Sequence, residues 1–342
     1  MVRPTIRDMT SELGLSSHAR ILEVKEPSCG LLAFIALHDV NHGPCVGGVR
    51  RSRYRSAEDA CNDALSLSAQ MTRKVAFAGL PCGGGKSVIV DHKALDRNAA
   101  YAAFGRAVEM LDGQYFCGPD VGTGTDALER IREHTSYVNP ADNDASVATA
   151  KGVLAGLRSA LSECPSIGPL SAVVQGAGNV GSLVVKGLRT NLHSELALSV
   201  SDPNVRALRS LPEDVRKIAS DVALRTPAHM FIPCALGPVV SRENVRSLPF
   251  SVICGSANTQ LEDDAVAQVL HARGILYAPD FIVNAGAVIE GATVLFSKGD
   301  NVRERAKAAI DRIEYRLSDV FHEARENDAS PLNVAVARTI RR

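Results

Sequence analysis

Hydrophobic positions change period several times along the chain, and each change marks an element. Leu31 to Leu37 is an unbroken apolar run with the length of a buried strand, and the segment from about Ala19 to Val24 is placed to pair with it. A helix is predicted from about Ala57 to Thr72. Ser56 caps it, Glu58 and Asp59 occupy its first turn, and Cys61, Ala64, Leu65, Ser68 and Met71 fall on one face. A glycine-rich loop follows, then a strand from Ser87 to Val90, a helix from Tyr101 to Leu111, and a short run from Tyr115 to Cys117 leading into a loop at Gly118.

The pattern breaks at Asn139 to Ser146, a polar stretch with Pro140 and three Asp/Asn residues at 142–144, which sets a domain boundary between residues 140 and 141. Strand and helix then alternate: a helix from Ala148 to Glu163, a strand at Ala172 to Gln175, a helix from Asn179, and a strand at Leu196 to Val200. Further strands are predicted at Met230 to Ile232, Val252 to Cys254 and Leu276 to Tyr277. Crossovers of this length imply a parallel, helix-covered sheet and an α/β fold. The tail returns to helix: Ile310, Ile313, Leu317, Val320 and Phe321 form an apolar stripe, and Ser330-Pro331 starts a last helix. There is no internal repeat.

Composition narrows the function. Apolar residues make up 45% and charged residues 22% of the 342, as in a soluble globular protein. Basic and acidic residues balance at 38 each, so no global field favours nucleic acid or an anionic membrane. No apolar run approaches the ~20 residues that span a bilayer, and Met1 to Gly14 does not read as a signal peptide. Eight cysteines stand singly without a Cys-x-x-Cys pair, which argues against zinc ribbons and thioredoxin-type motifs; they read as reduced thiols of a cytoplasmic protein. No His, Cys or carboxylate cluster has metal-ligand spacing.

Gly176-Ala-Gly178-Asn-Val-Gly181 directly follows an apolar strand and opens a helix. In that context Gly176 makes the tight turn, Gly178 lets the backbone approach a pyrophosphate, and Gly181 allows close helix–strand packing. The helix N-terminus offers amide hydrogens to phosphate. Asp202 ends the next strand, 26 residues beyond Gly176, where a carboxylate accepts from a ribose 2′-hydroxyl and repels a 2′-phosphate; the expected cofactor is NAD, with Arg206 moderating the preference. An ordinary βα turn with a surface Asp is the competing reading.

A second segment runs from Lys74 to Gly83-Gly-Gly-Lys86-Ser87. It is no nucleotide P-loop: the required first glycine falls at Leu80, and a strand rather than a helix follows the lysine. Two lysines twelve residues apart in one cleft suit another chemistry. One pairs with a substrate carboxylate; the other, its pKa lowered by burial and by its neighbour's charge, acts as a base. Taken alone, the segment equally fits a surface loop carrying two solvated lysines. Asp120, in Gly118-Pro-Asp-Val-Gly-Thr123, is placed to shuttle a proton, although a plain turn has the same sequence.

Together these segments resemble the leucine, valine and phenylalanine dehydrogenases, relatives of glutamate dehydrogenase. The likeness rests on Gly43-Pro44, Gly47-Gly-Val-Arg50, Met71-Thr-x-Lys74, Gly83-Gly-Gly-Lys86, Asp120-Val-Gly-Thr123 and Thr149-Ala-x-Gly-Val153. It continues through Gly176-x-Gly-Asn-Val-Gly181, Pro233-Cys-Ala-Leu-Gly237, Gly255-Ser-Ala-Asn258, Tyr277-Ala-Pro-Asp280 and Asn284-Ala-Gly286. The resemblance implies an N-terminal α/β catalytic domain (1–140, rejoined by the C-terminal helix at 322–342) and a Rossmann-type dinucleotide-binding domain (141–321), with a cleft between. It implies Lys74 on the substrate carboxylate with Gly47 beside the substrate, Lys86 activating water, and Asp120 moving protons at the amino nitrogen. Asn258 and Asn284 would hold the nicotinamide amide and orient the substrate. Thr149, Asn179, Val180, Cys234 and Ala235 would line the cofactor site. The implied reaction is reversible oxidative deamination of an L-amino acid by a homo-oligomer.

Pocket positions of the family correspond to Val46, Gly118, Val288 and Gly291, none charged, so a second carboxylate is disfavoured and a bulky aliphatic or aromatic side chain is expected. Departures from the family are Pro119 for a common Glu, Asn258-Thr259 for a tandem Asn, Lys151 for a usual Tyr, and His229, read as structural, for a frequent Asp. Two other readings stay open: a reductive aminase for an unusual 2-oxo acid, and a non-catalytic NAD-binding regulator. Keeping Lys74, Lys86 and Asp120 together weighs against the regulator, since folding does not need the trio.

Overall fold

The computed structural model describes residues 3–140, 144–164, 168–192, 196–297 and 299–340. Among them the chain forms two compact units, Met1–Asn143 with Gly291–Val302, and Asp144–Glu290 with Arg303–Arg342. Part of the polar stretch that marks the boundary, residues 141–143, lies outside the described residues. Asp144 follows it, and its carboxylate accepts from the amides of Ser146 and Val147 at the head of the next helix.

The first unit is built on a mixed six-stranded sheet. Its strands are β1 (Thr5–Asp8), β2 (Arg20–Glu26), β3 (Leu31–Leu37), β4 (Cys45–Ser52), β5 (Gly83–Val90) and β6 (Tyr115–Gly118), in the order β1-β2-β3-β5-β4-β6. Neighbours run antiparallel as far as β5, and parallel from β5 through β4 to β6. Helices α1 (Ala57–Phe77), α2 (Arg97–Glu109) and α3 (Thr125–Arg132) complete it. The unbroken apolar run of β3 is explained by a core on each face. Leu31, Ala33, Ile35 and Leu37 enter one with Phe104, Tyr115 and Ile131, while Phe34 and Ala36 enter the other with Ala60, Cys61 and Ala64 of α1.

Three differences from the sequence reading have local causes. Helix α1 runs on to Phe77 and stops where Gly79 takes a φ of +66°, a left-handed stop signal. The glycines at 83–85 are strand, not loop, paired between β3 and β4, and neighbouring chain closes over them. A Cβ on Gly84 would overlap the Thr72 amide and come within 2.6 Å of the Ser68 carbonyl, and one on Gly85 would sit 2.9 Å from the Tyr115 ring. Their task is therefore close packing of this unit's own chain. Strand β4 was not anticipated; its sequence, Cys-Val-Gly-Gly-Val-Arg-Arg-Ser, lacks both apolar length and alternation.

The second unit holds six parallel strands: β7 (Ser171–Gln175), β8 (Ala197–Ser201), β9 (Arg216–Ile218), β10 (Met230–Pro233), β11 (Val252–Ile253) and β12 (Leu276–Tyr277). Their spatial order is β9-β8-β7-β10-β11-β12, so the chain winds outward from β7 in one direction and then in the other. That is the order of dinucleotide-binding sheets, whose ligands sit beyond the carboxyl ends of the strands where winding reverses. The helices of this part of the chain are α4 (Ala145–Glu163), α5 (Asn179–Gly187), α6 (Val205–Arg209), α7 (Asp264–Ala272), α8 (Asp280–Val283), α9 (Gly286–Phe296), α10 (Val302–Glu326) and α11 (Pro331–Ile340), of which α9 from Gly291 onward counts with the first unit. His229 serves structure, as read: its ring bonds the Cys164 carbonyl at 2.9 Å and its amide donates to Ser171.

Residues 322–342, expected with the first domain, lie instead with the second unit as far as they are described. Leu332, Val334 and Ala335 of α11 are buried, the Ser330 hydroxyl accepts from Gln268 of α7, and His271 of α7 pairs with Asp328. Further along α10, Arg158 and Glu314 pair at 2.6 Å and the Ser159 and Ser318 hydroxyls meet at 2.9 Å, tying that helix to α4.

Candidate active site

In the first unit, β5 delivers Lys86 and the loop after β6 delivers Asp120. Lys86 is 6% exposed and donates to Oδ2 of Asp120. The Asp120 loop is pinned: its amide donates to the Thr123 hydroxyl at 3.2 Å, and that hydroxyl in turn donates to the Val49 carbonyl of β4. Gly48 lets the loop come close. A Cβ there would stand 2.7 Å from the Pro119 carbonyl and 2.8 Å from Cβ of Asp120. Gly47 is likewise packed, its Cα turned at the Gly85 carbonyl of β5, while its own carbonyl accepts from the Tyr115 hydroxyl at 3.1 Å. Gly118, by contrast, has room, since a Cβ would make only a 3.6 Å contact with Asn139.

Burial pushes the Lys86 ammonium well below the ordinary lysine range, and the charges of Arg50 and then Lys74 push the same way, against Asp63. The sum is a buried amine biased toward its neutral form, with a carboxylate at hydrogen-bond range to take or return a proton. Two further groups beside the pair, the Arg50 guanidinium and the Asp63 carboxylate, were not given a role from sequence. Arg50 binds Asp63 at 3.1 Å and lies 3.6 Å from Oδ1 of Asp120, and the Tyr54 hydroxyl donates to Asp63 at 2.6 Å. A usable signal existed for Asp63: it precedes Lys74 by eleven residues, three helical turns, on α1.

The second unit gathers the predicted dinucleotide residues at the ends of β7, β8 and β10. Gly176 has a φ of +100°, and a Cβ on it would fall 2.8 Å from the Cys234 carbonyl. Gly181 lies against the Gly176 carbonyl, where a Cβ would overlap it. Gly178 caps α5 without a side-chain bond, and a Cβ there would meet nothing within 4 Å. Asn179 and Val180 form the first turn beneath that open space. Uncapped helix amides under free volume fit a pyrophosphate. Asp202 lies just beyond β8 and accepts from the Ala177 amide and the Asn204 amide, each at 2.7 Å, so it also braces the glycine turn. Cys234 and Ala235 follow β10, with the Cys234 amide on the Gln175 carbonyl at 2.7 Å.

Asn284 is buried and donates to Oδ1 of Asn258 at 3.1 Å, while its own Oδ1 is buried with no hydrogen-bond partner among the described residues. An orphaned acceptor of this kind fits a ligand N–H such as that of a carboxamide. Gln260, missed from sequence, supports the turn ahead of Asn258 by donating to the Gly255 and Ala257 carbonyls at 2.6 and 3.1 Å. Thr149 spends its hydroxyl on the Ala145 carbonyl within α4. Of the predicted residues, Lys74, Lys86, Asp120, Gly47, Gly118 and Gly291 belong to the first unit, while Asn284, Val288 and the cofactor set belong to the second.

Comparison with known proteins follows the same division. Residues 18–137 match the family model of the Glu/Leu/Phe/Val dehydrogenase dimerisation domain, and residues 186–329 match that of glutamate/leucine/phenylalanine/valine dehydrogenase. The leucine dehydrogenase of Geobacillus stearothermophilus is 37% identical over 94% of this chain and 89% of its own. The phenylalanine dehydrogenase of Lysinibacillus sphaericus is 35% identical over 91% and 84%. Among solved structures, the L-tryptophan dehydrogenase of Nostoc punctiforme superposes with a TM-score of 0.78 at 30% identity, covering 97% of this chain and 96% of that one. Both halves of the molecule thus lead to one place, and the chain belongs to the Glu/Leu/Phe/Val dehydrogenase family, oxidoreductases that act on the CH–NH2 group of amino acids.

Proposed function

We propose that the protein catalyses NAD-dependent, reversible oxidative deamination of a bulky apolar L-amino acid to its 2-oxo acid and ammonia. The observation that carries this is the buried Lys86 amine held against Asp120. Lys74 binds the substrate carboxylate, as its placement in the last turn of α1 and its charge influence on Lys86 support. Asp120 takes a proton from the substrate ammonium. What the nicotinamide supplies when bound is a two-electron acceptor for the Cα–H bond, and the amino acid becomes an imine. Lys86, in its neutral form, then removes a proton from water as the water adds to the imine carbon; collapse releases ammonia and the oxo acid.

Gly176, Gly178, Asn179, Val180, Gly181, Asp202, Cys234 and Ala235 would hold the dinucleotide, with Thr149 beside them and Asn258 and Asn284 on its carboxamide and the substrate. Asp202 favours a free ribose hydroxyl, hence NAD over NADP. The uncharged set Val46, Gly118, Val288 and Gly291 favours leucine-sized or aromatic side chains, as do the substrates named for the leucine, phenylalanine and tryptophan relatives. A symmetric homo-oligomer accords with the dimerisation-domain match. Eight free cysteines accord with a reducing cytoplasm.

The test is initial NADH formation at alkaline pH from a panel of L-amino acids, with NADP in parallel. One bulky apolar amino acid should reduce NAD fastest, and Lys86→Ala should lose on the order of 10³-fold in rate while still binding NAD. Best turnover of glutamate or alanine would overturn the substrate assignment. Turnover only of oxo acids with ammonia would replace deamination by reductive amination.

A further inference from the structure

The deamination chemistry above uses Lys86 and Asp120 but leaves a half-buried chain of polar groups behind them without a task. It starts at Tyr54, whose hydroxyl donates to Oδ2 of Asp63 at 2.6 Å. Asp63 in turn accepts from Nη1 of Arg50 at 3.1 and 3.3 Å. The opposite arm of the same guanidinium, Nη2, stands 3.6 Å from Oδ1 of Asp120, the oxygen not engaged by Lys86. Three elements supply the members: β4 gives Arg50, α1 gives Asp63, and the loop after β6 gives Asp120. Arg50 and Asp120 are largely buried, with side chains 20% and 11% exposed.

We propose that Arg50 is a positioning residue for the Lys86–Asp120 pair: anchored by Asp63, its guanidinium holds the second carboxylate oxygen of Asp120 and so presents the first to the amine. The inference rests on the proposed proton chemistry of that pair. A planar fork is the group for this task, because it reaches two carboxylates at once in fixed directions, which a lysine ammonium at the same place does not.

The arrangement also has an electrostatic consequence. Lys86 is faced by Asp120 from the β6 loop, Arg50 from β4, and Asp63 and Lys74 from α1; its register neighbour on β3, Ala36, is uncharged. Arg50 opposes protonation of Lys86 and Asp63 favours it. Removing Arg50 withdraws a repelling charge from Lys86 and leaves Lys86 as the one cation on Asp120 among the described residues, beside the Val121 amide on Oδ1, so both effects raise the pKa of the amine. Removing Asp63 withdraws an attracting charge and frees Arg50 for Asp120, so both effects lower it. A merely structural role would not move the two variants in opposite directions.

The experiment reads Lys86 directly. Trace acetylation with acetic anhydride across a pH series, followed by peptide mass spectrometry, gives the titration of that amine in the wild type, Arg50→Gln, Arg50→Lys and Asp63→Asn. The pH profile of amino-acid-dependent NADH formation is recorded on the same samples, and thermal melting confirms folding. Arg50→Gln should raise the Lys86 titration by about one unit, a tenfold loss of neutral amine at a given pH, and carry the rate profile upward with it. Asp63→Asn should move both downward. Arg50→Lys should keep the titration near that of the wild type yet recover only part of kcat/KM. A folded Arg50→Gln or Asp63→Asn with an unmoved titration overturns the proposal even in an active enzyme, and should Arg50→Gln fail to fold, the other two variants still decide. A wild type that deaminates no amino acid while the titrations shift as stated would overturn the amino-acid reading and leave Arg50 in its role.

Discussion

Gly178 and Gly181 stand three residues apart in one turn, yet the space around them assigns them different work. Gly178 has φ −71° and ψ −163°, an extended conformation open to any residue, and its missing Cβ faces open space. Gly178→Ala should therefore melt at the wild-type temperature while NAD binds about tenfold or more weakly, because the methyl occupies volume meant for pyrophosphate. Gly181→Ala should instead destabilise the fold by about 2 kcal/mol, its methyl driven into the Gly176 carbonyl. Thermal unfolding and NAD titration on both variants check this, and an early-melting Gly178→Ala would refute it. Gly48 presents a third case, since its absent Cβ would press on Pro119 and Asp120 rather than on a ligand. Gly48→Ala should lower kcat/KM roughly a hundredfold by displacing the carboxylate, with NAD affinity unchanged. Equal losses in both would place Gly48 elsewhere in the mechanism.

At the scale of elements, α1 on β5 is the packing that organises the lysines. The helix approaches so closely that Gly84 leaves no room for a methyl beside Thr72 and Ser68, both of which meet it with backbone atoms that cannot swing away. Gly84→Ala should cost about 3 kcal/mol in urea unfolding, against about 1 kcal/mol for Ser56→Ala, which removes only the cap on the Asp59 amide; comparable costs would mean that α1 does not depend on that contact. This contrast also explains what could be read from the sequence. Leu31–Leu37 and Met230–Pro233 were legible because burial on both faces leaves a continuous apolar run. The glycines of β5 were not, because what they make room for lies far away in the sequence, at Asp39 for Gly83, in α1 for Gly84 and at Tyr115 for Gly85, outside any local window. Strand β4 was hidden for a related reason: its glycines answer to β5 and the Asp120 loop, Arg50 to Asp63 and Asp120, and Arg51 to Asp91, rather than to a period. The proposed catalytic pair was legible as residue types in order, whereas the contacts of Arg50 and Thr123 with Asp120 and its loop became visible only through distances. The place of α11 depends on its burial against α7, which no periodicity within α11 reports.

For the whole molecule, the division into two units has a thermodynamic consequence. The glycine turn, Asp202, Cys234 and Asn258 all belong to the second unit, so NAD alone meets its proposed ligands there. A ligand that binds only the folded state adds stability by mass action, about 2.7 kcal/mol at a hundred times its Kd. That gain should be read first in local openings near the ligand. Amide hydrogen exchange with saturating NAD should slow most at Ala177–Gly181, whose amides lie in the turn and at the uncapped start of α5, and around Cys234 and Asn258. Amides of β3 and β5 in the first unit should slow far less. Adding the product oxo acid should then extend protection to the Asp120–Thr123 loop, because that loop carries the carboxylate proposed to meet the substrate. Protection by NAD that was uniform over both units would show that the cofactor acts on the first unit as directly as on the second. The glycine turn would then not be the principal site of binding, and Asp202 would lose its assigned part in cofactor choice.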